Sequence, residues 1–322
     1  MKVLVAGAGA IGQWLGARLQ DAGHAVQLLT TQRHVAALRA LRIDGLSTWS
    51  GALDATADPN ALGTRFDAAF LVCKAHQTQL LAPLVAPRLA PGAVLATLQN
   101  GFGNAQKVAH FLPPAQVAVA LTSHGIWVEA PGQLRHAGVG ATQVGPFVPD
   151  AEASARTAEG LLADAALAPE WHAAMRGFVW RKAMINHAVN PVAALHGVPN
   201  GEVLAQPTLH SLSSGLLKEA VALAERGRVP LPPGDLQDLL DATLRRTAAN
   251  RVSMLQDVDA KRATEVEQIT GRMVRLAERL LVSMPRSESV YGRIKDLEAS
   301  YLGAEAATRL AWDELPWEAE PF

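Results

Sequence analysis

Three polar residues between positions 180 and 191 have the spacing of one helical face. Lys182, Asn186 and Asn190 follow one another at intervals of four residues, so on a helix one ammonium and two carboxamides form a single stripe. Burying such a stripe is costly unless its members have hydrogen-bond partners. The stripe therefore predicts contact with a small polar ligand, whereas the ordinary alternative is a solvated helix face.

The composition is that of an ordinary globular protein. Its 322 residues are 49% apolar and 18% charged, which provides a full core and enough length for two domains. The 29 Lys and Arg residues nearly balance the 30 Asp and Glu residues, so we expect small-molecule partners and no nucleic acid or membrane. No apolar run reaches the roughly 18 residues of a membrane span, and no signal-peptide core is visible. A single cysteine, Cys73, fits a reducing compartment and predicts a cytoplasmic location.

The N-terminus carries a glycine pattern typical of dinucleotide binding. Residues 2–6 predict a strand and residues 14–19 predict an amphipathic helix. Between them lies the fingerprint Gly7, Ala8, Gly9, Ala10, Ile11 and Gly12. The first glycine permits the turn, the second lets pyrophosphate approach the backbone, and the third allows close packing of helix on strand. The fold class we predict is α/β: a Rossmann-type doubly wound sheet that brings a nicotinamide to the stripe, followed by an all-helical C-terminal domain.

The end of the second predicted strand favours NADP(H) over NAD(H). Residues 25–29 are followed by Thr30, Thr31, Gln32 and Arg33, and no carboxylate stands where an NAD site usually binds the ribose 2′-hydroxyl. Arg33 offers a charge-assisted fork to a 2′-phosphate. The alternative is a solvated surface arginine.

Two further predicted strands end in polar residues. Lys74 follows residues 66–73, and Asn100 follows residues 93–98. Because ligands of doubly wound sheets bind beyond the carboxyl ends of the strands, both residues are candidates for cofactor or substrate contacts. Asn100 precedes a glycine, however, and Asn-Gly is also an ordinary turn signal. Cys73, inside its strand, is interpreted as a small core hydrophobe.

Residues 117–148 predict additional strands, because short β-type runs alternate there with glycine and proline turns. His124 and His136 lie in this region. No pair of histidines in the chain has metal-ligand spacing with a supporting acid or cysteine, so we expect no metal site.

The second half has a helical pattern. We predict helices at residues 151–167 and 209–226, a stripe-bearing helix that Pro191 ends or kinks, and a long helical region over residues 236–281. In that last region Asn250, Ser253, Asp257 and Thr264 would share a polar face. The predicted domains are residues 1–170 for NADP binding, residues 171–310 for substrate binding and catalysis, and a tail at residues 311–322.

These motifs together resemble the ketopantoate reductase (2-dehydropantoate 2-reductase) family. The resemblance covers roughly residues 1 to 300. It is carried by the glycine fingerprint, Lys74, the Gln99-Asn100-Gly101 run, the Trp180 to Pro191 stretch, Pro199-Asn200-Gly201-Glu202, and Ser253-Met254-Leu255-Gln256-Asp257 followed by Thr264-Glu265. The Ser-Met-Leu-Gln-Asp run is its most specific part. A serine often precedes that run in the family, where this chain has Val252, and an arginine often stands where it has Thr31.

The resemblance implies NADPH-dependent reduction of 2-dehydropantoate to (R)-pantoate in pantothenate biosynthesis, on a fold similar to that of 6-phosphogluconate dehydrogenase. Lys182 corresponds to the general acid, which protonates the oxygen as hydride reaches the carbonyl carbon. The substrate residues implied are Asn100, Asn186, Asn190, Asn200 and Ser253. By the same resemblance, Asn100 and Glu265 would also contact the cofactor, and Gly125 would approach the nicotinamide.

Two alternatives remain open at this point. A paralogous NADP-dependent reductase would use the same lysine on another 2-oxo acid. A dinucleotide-sensing protein would bind the cofactor without turnover, although a sensor has no need of Lys182 and Asn100. A homodimer is compatible with the sequence.

Overall fold

The computed structural model describes residues 1–303, which divide into two compact units. The first unit comprises Met1–Gln99 and Gly103–Met175. The second comprises Asn100–Phe102 and the described residues from Arg176 onward. The predicted tail at residues 311–322 lies outside the described residues.

An eight-stranded sheet forms the framework of the first unit. Twelve strands lie among its described residues: β1 (Lys2–Ala6), β2 (Ala25–Leu29), β3 (Leu41–Gly45), β4 (Trp49–Gly51), β5 (Asp54–Thr56), β6 (Phe66–Leu71), β7 (Leu89–Thr97), β8 (Val117–Thr122), β9 (Gly125–Ala130), β10 (Gln133–Gly138), β11 (Thr142–Pro146) and β12 (Glu170–Trp171). The large sheet has the order β12-β11-β8-β7-β6-β1-β2-β5. From β5 to β8 all neighbours are parallel, and β11 pairs antiparallel with β8. From β1 the chain adds β2 and β5 toward one edge of the sheet, and it then adds β6, β7 and β8 on the other side of β1. The strand order therefore reverses between β1 and β6.

A smaller sheet with the order β4-β3-β10-β9 completes the first unit. The helices of this unit are α1 (Ala10–Asp21), α2 (Gln32–Leu38), α3 (Thr78–Val85), α4 (Asn104–Val108) and α5 (Glu152–Asp164). Helix α1 packs against β2 of the large sheet and β9 of the small one. Fully buried side chains such as Val3, Leu15 and Phe70 fill the core between these layers.

The second unit contains only helices among its described residues. They are α6 (Arg176–His196), α7 (Asn200–Ala205), α8 (Pro207–Arg226), α9 (Leu236–Arg246), α10 (Ser253–Asp259), a π-helical turn (Glu267–Gly271), α11 (Arg272–Leu280) and α12 (Pro285–Leu302). Its core is formed mainly by α6, α8, α9 and α11. The predicted α/β class, with a doubly wound sheet followed by a helical region, is confirmed.

Helix α6 continues through Pro191 to His196, so of the two predicted effects of the proline, the end of the helix was wrong and a kink stays a prediction. Proline removes one backbone donor and crowds the preceding turn. Val189, Val192 and Ala193 on both sides of it are buried in the core. Tertiary packing therefore keeps the helix intact across a residue that would break an isolated one.

The region predicted as one long helical stretch over residues 236–281 is helical but divided into three segments: α9, α10, and the π-helical turn that runs directly into α11. A left-handed residue, Lys261 (φ 51°), follows α10 and turns the chain away from the helix axis. Consequently the predicted polar face does not exist. Asp257 is buried and pairs with Arg262 at 3.2 Å. Thr264 is buried and donates from its hydroxyl to Glu298 across 2.7 Å.

Candidate active site

The glycine turn after β1 is shaped by close backbone contacts. Gly7 adopts φ 111°, and a Cβ atom there would lie 2.6 Å from the backbone nitrogen of Cys73. A Cβ on Gly12 would lie 1.9 Å from the carbonyl oxygen of Gly7. By contrast, a Cβ on Gly9 would meet no atom within 4 Å. Packing within the protein thus requires glycine at positions 7 and 12. Gly9, by contrast, faces open space where a ligand could approach the backbone.

The start of α1 is suited to an anion. Gly9 is the N-cap, no side chain caps the helix, and its first turn carries no acidic residue. The N–H groups of the first turn therefore remain available to a ligand such as a pyrophosphate. Ala8 is buried, and Ala10 and Ile11 are half-buried, which leaves backbone rather than side chains on the open side of the turn.

The segment after β2 presents hydroxyls and a guanidinium. Thr31 is the N-cap residue of α2, and Arg33 is exposed in the first turn of that helix. The hydroxyls of Thr30 and Thr31 lie 3.3 and 3.1 Å from Nδ1 of His34. Arg33, the residue predicted to bind the 2′-phosphate of NADP(H), is therefore accessible, and the segment around it contains no carboxylate.

The segments after β6 and β7 are joined by a buried glutamine. Nε2 of Gln99 donates to the carbonyl oxygen of Cys73 across 3.1 Å and to the hydroxyl of Thr78 across 2.8 Å. Cys73 is a buried free thiol, in line with its interpretation as a core residue. Lys74 follows it and is half-buried. Gly125 begins β9, where a Cβ would lie 3.3 Å from the backbone nitrogen of Gly138 in the paired strand.

A polar cluster that the sequence did not predict holds α1 against the small sheet. Nε1 of Trp14 donates to the hydroxyl of Ser47 across 3.0 Å, and that hydroxyl lies 2.9 Å from Nδ1 of His136. Nε2 of His136 lies 3.3 Å from Nδ1 of His124. Burial lowers the pKa of both histidines. No spacing in the sequence links these four residues, since they meet only when both sheets have formed.

In the second unit, the stripe residues lie on α6 as predicted. Lys182 and Asn186 are half-buried and Asn190 is buried. Burial lowers the pKa of Lys182 to about 8, while the negative charge of Glu265 acts in the opposite direction. The ammonium therefore lies in a site where it can readily give up its proton.

A short segment containing Asn100 contributes to the same unit. Nδ2 of Asn100 donates to Oε2 of Glu265 across 3.3 Å. The backbone nitrogen of Phe102 donates to the carbonyl oxygen of Gln268 in the π-helical turn across 3.2 Å. The Phe102 ring packs on Trp180 of α6, with ring centroids 4.9 Å apart. Glu265 is thus the residue around which Lys182 and Asn100 converge.

Asn200 and Ser253 occupy different environments. Asn200 is buried in the first turn of α7, and its Nδ2 donates to the hydroxyl of Thr247 across 2.7 Å. Ser253 is exposed as the first residue of α10. Behind it, Met254 and Leu255 are buried in a cluster that includes Ala194 of α6. The packing of α10 on α6 therefore links Ser253 to the stripe-bearing helix.

The face of α6 that carries His187 is fixed by a buried hydrogen-bond network. The ring nitrogens of His187 lie 3.0 Å from the hydroxyl of Thr270 and 3.1 Å from that of Ser287. The Ser287 hydroxyl in turn donates to Glu219 across 2.6 Å. Burial lowers the pKa of His187 to about 4, so the ring is neutral at pH 7. This network joins α6, α8, α12 and the π-helical turn.

Within residues 1–303, no group of three or more His, Cys, Asp or Glu side chains is arranged to hold a metal ion. None of the helices in that part of the chain is long and apolar enough to cross a membrane.

Two models of one protein family match the chain. The model described as "Ketopantoate reductase PanE/ApbA" matches residues 3–149. The model described as "Ketopantoate reductase PanE/ApbA C terminal" matches residues 174–298.

Named relatives are similar over nearly their whole length. The 2-dehydropantoate 2-reductase of Vibrio cholerae is 31% identical over 306 residues, which cover 94% of this chain and 99% of the relative. The 2-dehydropantoate 2-reductase of Pyrococcus abyssi is 30% identical over 303 residues, which cover 93% of this chain and 98% of the relative. Among solved structures, a PanE/ApbA family ketopantoate reductase from Ralstonia eutropha superposes with a TM-score of 0.85 at 26% identity, covering 94% of this chain and 100% of that one. D-mandelate dehydrogenase with NADH and anilino(oxo)acetate has the same fold, with a TM-score of 0.87 at 22% identity and the same coverage.

Proposed function

We propose that this chain, which belongs to the ketopantoate reductase PanE/ApbA family, reduces 2-dehydropantoate to (R)-pantoate in pantothenate biosynthesis. The family predicted from the sequence is confirmed, and the chain is accordingly an oxidoreductase that acts on a CH–OH group. The observation that carries the proposal is Lys182, a half-buried lysine with a pKa of about 8 beside Glu265.

The cofactor is a nicotinamide dinucleotide, and we propose NADP(H). When bound, the dinucleotide supplies the hydride. The residues present fit it, because the open space at Gly9 and the uncapped start of α1 suit a pyrophosphate. The exposed Arg33 supports the preference for a 2′-phosphate. Lys74 and Gly125 are proposed as further cofactor contacts.

Lys182 is proposed as the general acid. With a pKa of about 8, the side chain is about nine-tenths protonated at pH 7 and still gives up its proton readily. As negative charge grows on the carbonyl oxygen, the ammonium first stabilises it and then protonates it. The Glu265 carboxylate favours the charged form of Lys182, which opposes the effect of burial.

The carboxamides are proposed to hold the substrate. Asn186 and Asn190 lie on the same helix as Lys182 and can donate hydrogen bonds to a carboxylate or a carbonyl. Asn200 and Ser253 are proposed for the remaining polar groups of the substrate. Asn100 is proposed to contact both substrate and cofactor, and its hydrogen bond to Glu265 holds its carboxamide in one orientation.

An NADPH-oxidation assay with 2-dehydropantoate tests the proposal. We expect turnover by the native chain and a loss of about 100- to 10,000-fold in rate for Lys182→Ala. Lys218→Ala, at an exposed lysine of α8, is the matched control and should behave like the native chain.

Two results would count against this function. No preference for 2-dehydropantoate over other branched 2-oxo acids would favour a paralogous reductase. Binding of NADPH without oxidation by any 2-oxo acid would favour a sensor.

Three properties stay predictions. Limited proteolysis will test the proposed domains, residues 1–170 and 171–310, by locating the cleavage sites. Light scattering will test the homodimer, and cell fractionation will test the cytoplasmic location.

A further inference from the structure

Two carboxamide oxygens among the described residues of the second unit, Oδ1 of Asn200 and Oε1 of Gln268, are buried without a hydrogen-bond partner, and that of Asn200 belongs to a residue proposed to bind the substrate. Asn200 is 5% exposed, and its Oδ1 atom makes no hydrogen bond within residues 1–303. A buried acceptor without a partner is costly, and such an atom in a native protein calls for an explanation. A ligand group that donates a hydrogen bond would supply the missing partner.

The orientation of this carboxamide is dictated by Thr247. The Thr247 hydroxyl donates its one proton to the carbonyl oxygen of Thr243 across 2.7 Å. It can therefore only accept from Asn200, whose Nδ2 donates to it across 2.7 Å. The reverse orientation of the amide would place two acceptors against each other, so Oδ1 must point away from Thr247.

The backbone around both residues is fixed as well. The backbone nitrogen of Asn200 donates to the carbonyl oxygen of Asn250 across 3.1 Å. The backbone nitrogen of Gly201 donates to the carbonyl oxygen of Ala248 across 2.9 Å. A Cβ on Gly201 would lie 3.0 Å from the Ala248 side chain, so α7 and the segment after α9 are in close contact. These contacts hold the backbone of α7 against the segment that follows Thr247.

We propose that Thr247 is a positioning residue that makes Asn200 an acceptor for a ligand hydroxyl. The inference rests on the proposed function, which supplies a substrate with a single primary hydroxyl, a carboxylate and a ketone. The carboxylate and the ketone are acceptors only, so the hydroxyl is the substrate group that can donate to Oδ1 of Asn200. Thr247 thereby determines which end of the substrate binds beside α7.

The test compares 2-dehydropantoate with 3,3-dimethyl-2-oxobutanoate, which differs only by lacking the hydroxyl. In the native enzyme kcat/KM should be much higher for the hydroxylated substrate, because a site built to bind a hydroxyl discriminates against an analogue without it. Thr247→Val keeps the shape of the side chain but removes the hydroxyl. We expect it to lower kcat/KM for 2-dehydropantoate about tenfold and to leave the deoxy substrate within about twofold.

Two variants serve as controls. Thr247→Ser retains the hydroxyl and should restore the native preference. Thr208→Val, at an exposed threonine of α8, should leave both substrates unaffected.

Other outcomes overturn the inference in distinguishable ways. Equal losses for both substrates in Thr247→Val would show a purely structural role, and no loss for either would show no role. A native enzyme that reduces both substrates equally well would refute the hydroxyl assignment while leaving the reductase function intact. Turnover of neither substrate would overturn the proposed function and the assignment together.

Discussion

Nδ2 of Asn100 donates to Oε2 of Glu265 across 3.3 Å, although 165 positions separate the two residues in the chain. The same carboxylate raises the pKa of Lys182, against the larger effect of burial. One buried glutamate therefore orients a carboxamide and supports the charge of the proposed proton donor.

Removing the charge of Glu265 should shift the pH dependence of reduction. Reduction needs the protonated form of Lys182, so kcat/KM should fall as the pH rises through about 8. In Glu265→Gln the opposing carboxylate is lost, the pKa of Lys182 falls further, and the descending limb should move to lower pH by about one unit. Steady-state kinetics across the pH range will measure the shift. An unchanged limb would contradict the electrostatic role of Glu265. Glu278→Gln, at an exposed position of α11, is the control.

Two glycines of the fingerprint should respond differently to alanine. Gly9 has φ −68° and open space around its Cβ position, so Gly9→Ala should unfold within about 2 °C of the native Tm. Its methyl group would occupy the expected pyrophosphate position and should weaken NADPH binding at least about tenfold. Gly12→Ala should instead destabilise the fold by about 1 to 3 kcal/mol, because the new Cβ would lie 1.9 Å from a backbone oxygen. Calorimetry and NADPH titration will separate the two effects. A fully native affinity in Gly9→Ala would argue against the assigned pyrophosphate site.

The choice of cofactor should depend on Arg33. We expect Arg33→Ala to raise KM for NADPH about tenfold and to leave KM for NADH nearly unchanged, because only NADPH carries the 2′-phosphate. Arg39→Ala, at the exposed C-terminal cap of the same helix, is the control. Equal changes for both cofactors would show that Arg33 does not read the phosphate.

The buried His187 should make the protein less stable in acid. Its pKa in the folded chain is about 4, below the ordinary value of 6.5. Between these values the unfolded chain binds a proton that the folded chain does not, so the free energy of unfolding decreases as the pH falls through this window, by about 3 kcal/mol at most. His187→Gln should reduce this pH dependence in urea-unfolding experiments.

His196→Gln, an exposed histidine at the end of the same helix, should retain the native pH dependence. An identical slope in His187→Gln and the native chain would contradict the assignment of the effect to His187.

The sequence by itself determined the elements with a local signature. The strand at Lys2–Ala6, the glycine turn and the stripe of Lys182, Asn186 and Asn190 on α6 all follow from short-range periodicity. The α/β class followed from their order. Each of these features depends on residues that are close together in the sequence. Over that short range, the spacing of residue types predicts secondary structure.

Only the tertiary structure decided which distant residues meet. It joined Asn100 to Glu265 and Asn200 to Thr247, and it kept α6 intact at Pro191. It also divided the predicted long helix at Lys261, whose left-handed conformation no periodicity indicates. Such contacts depend on the direction in which each turn sends the chain and on whether tertiary packing outweighs the helix propensity of single residues. The spacing of residues in the sequence predicts neither.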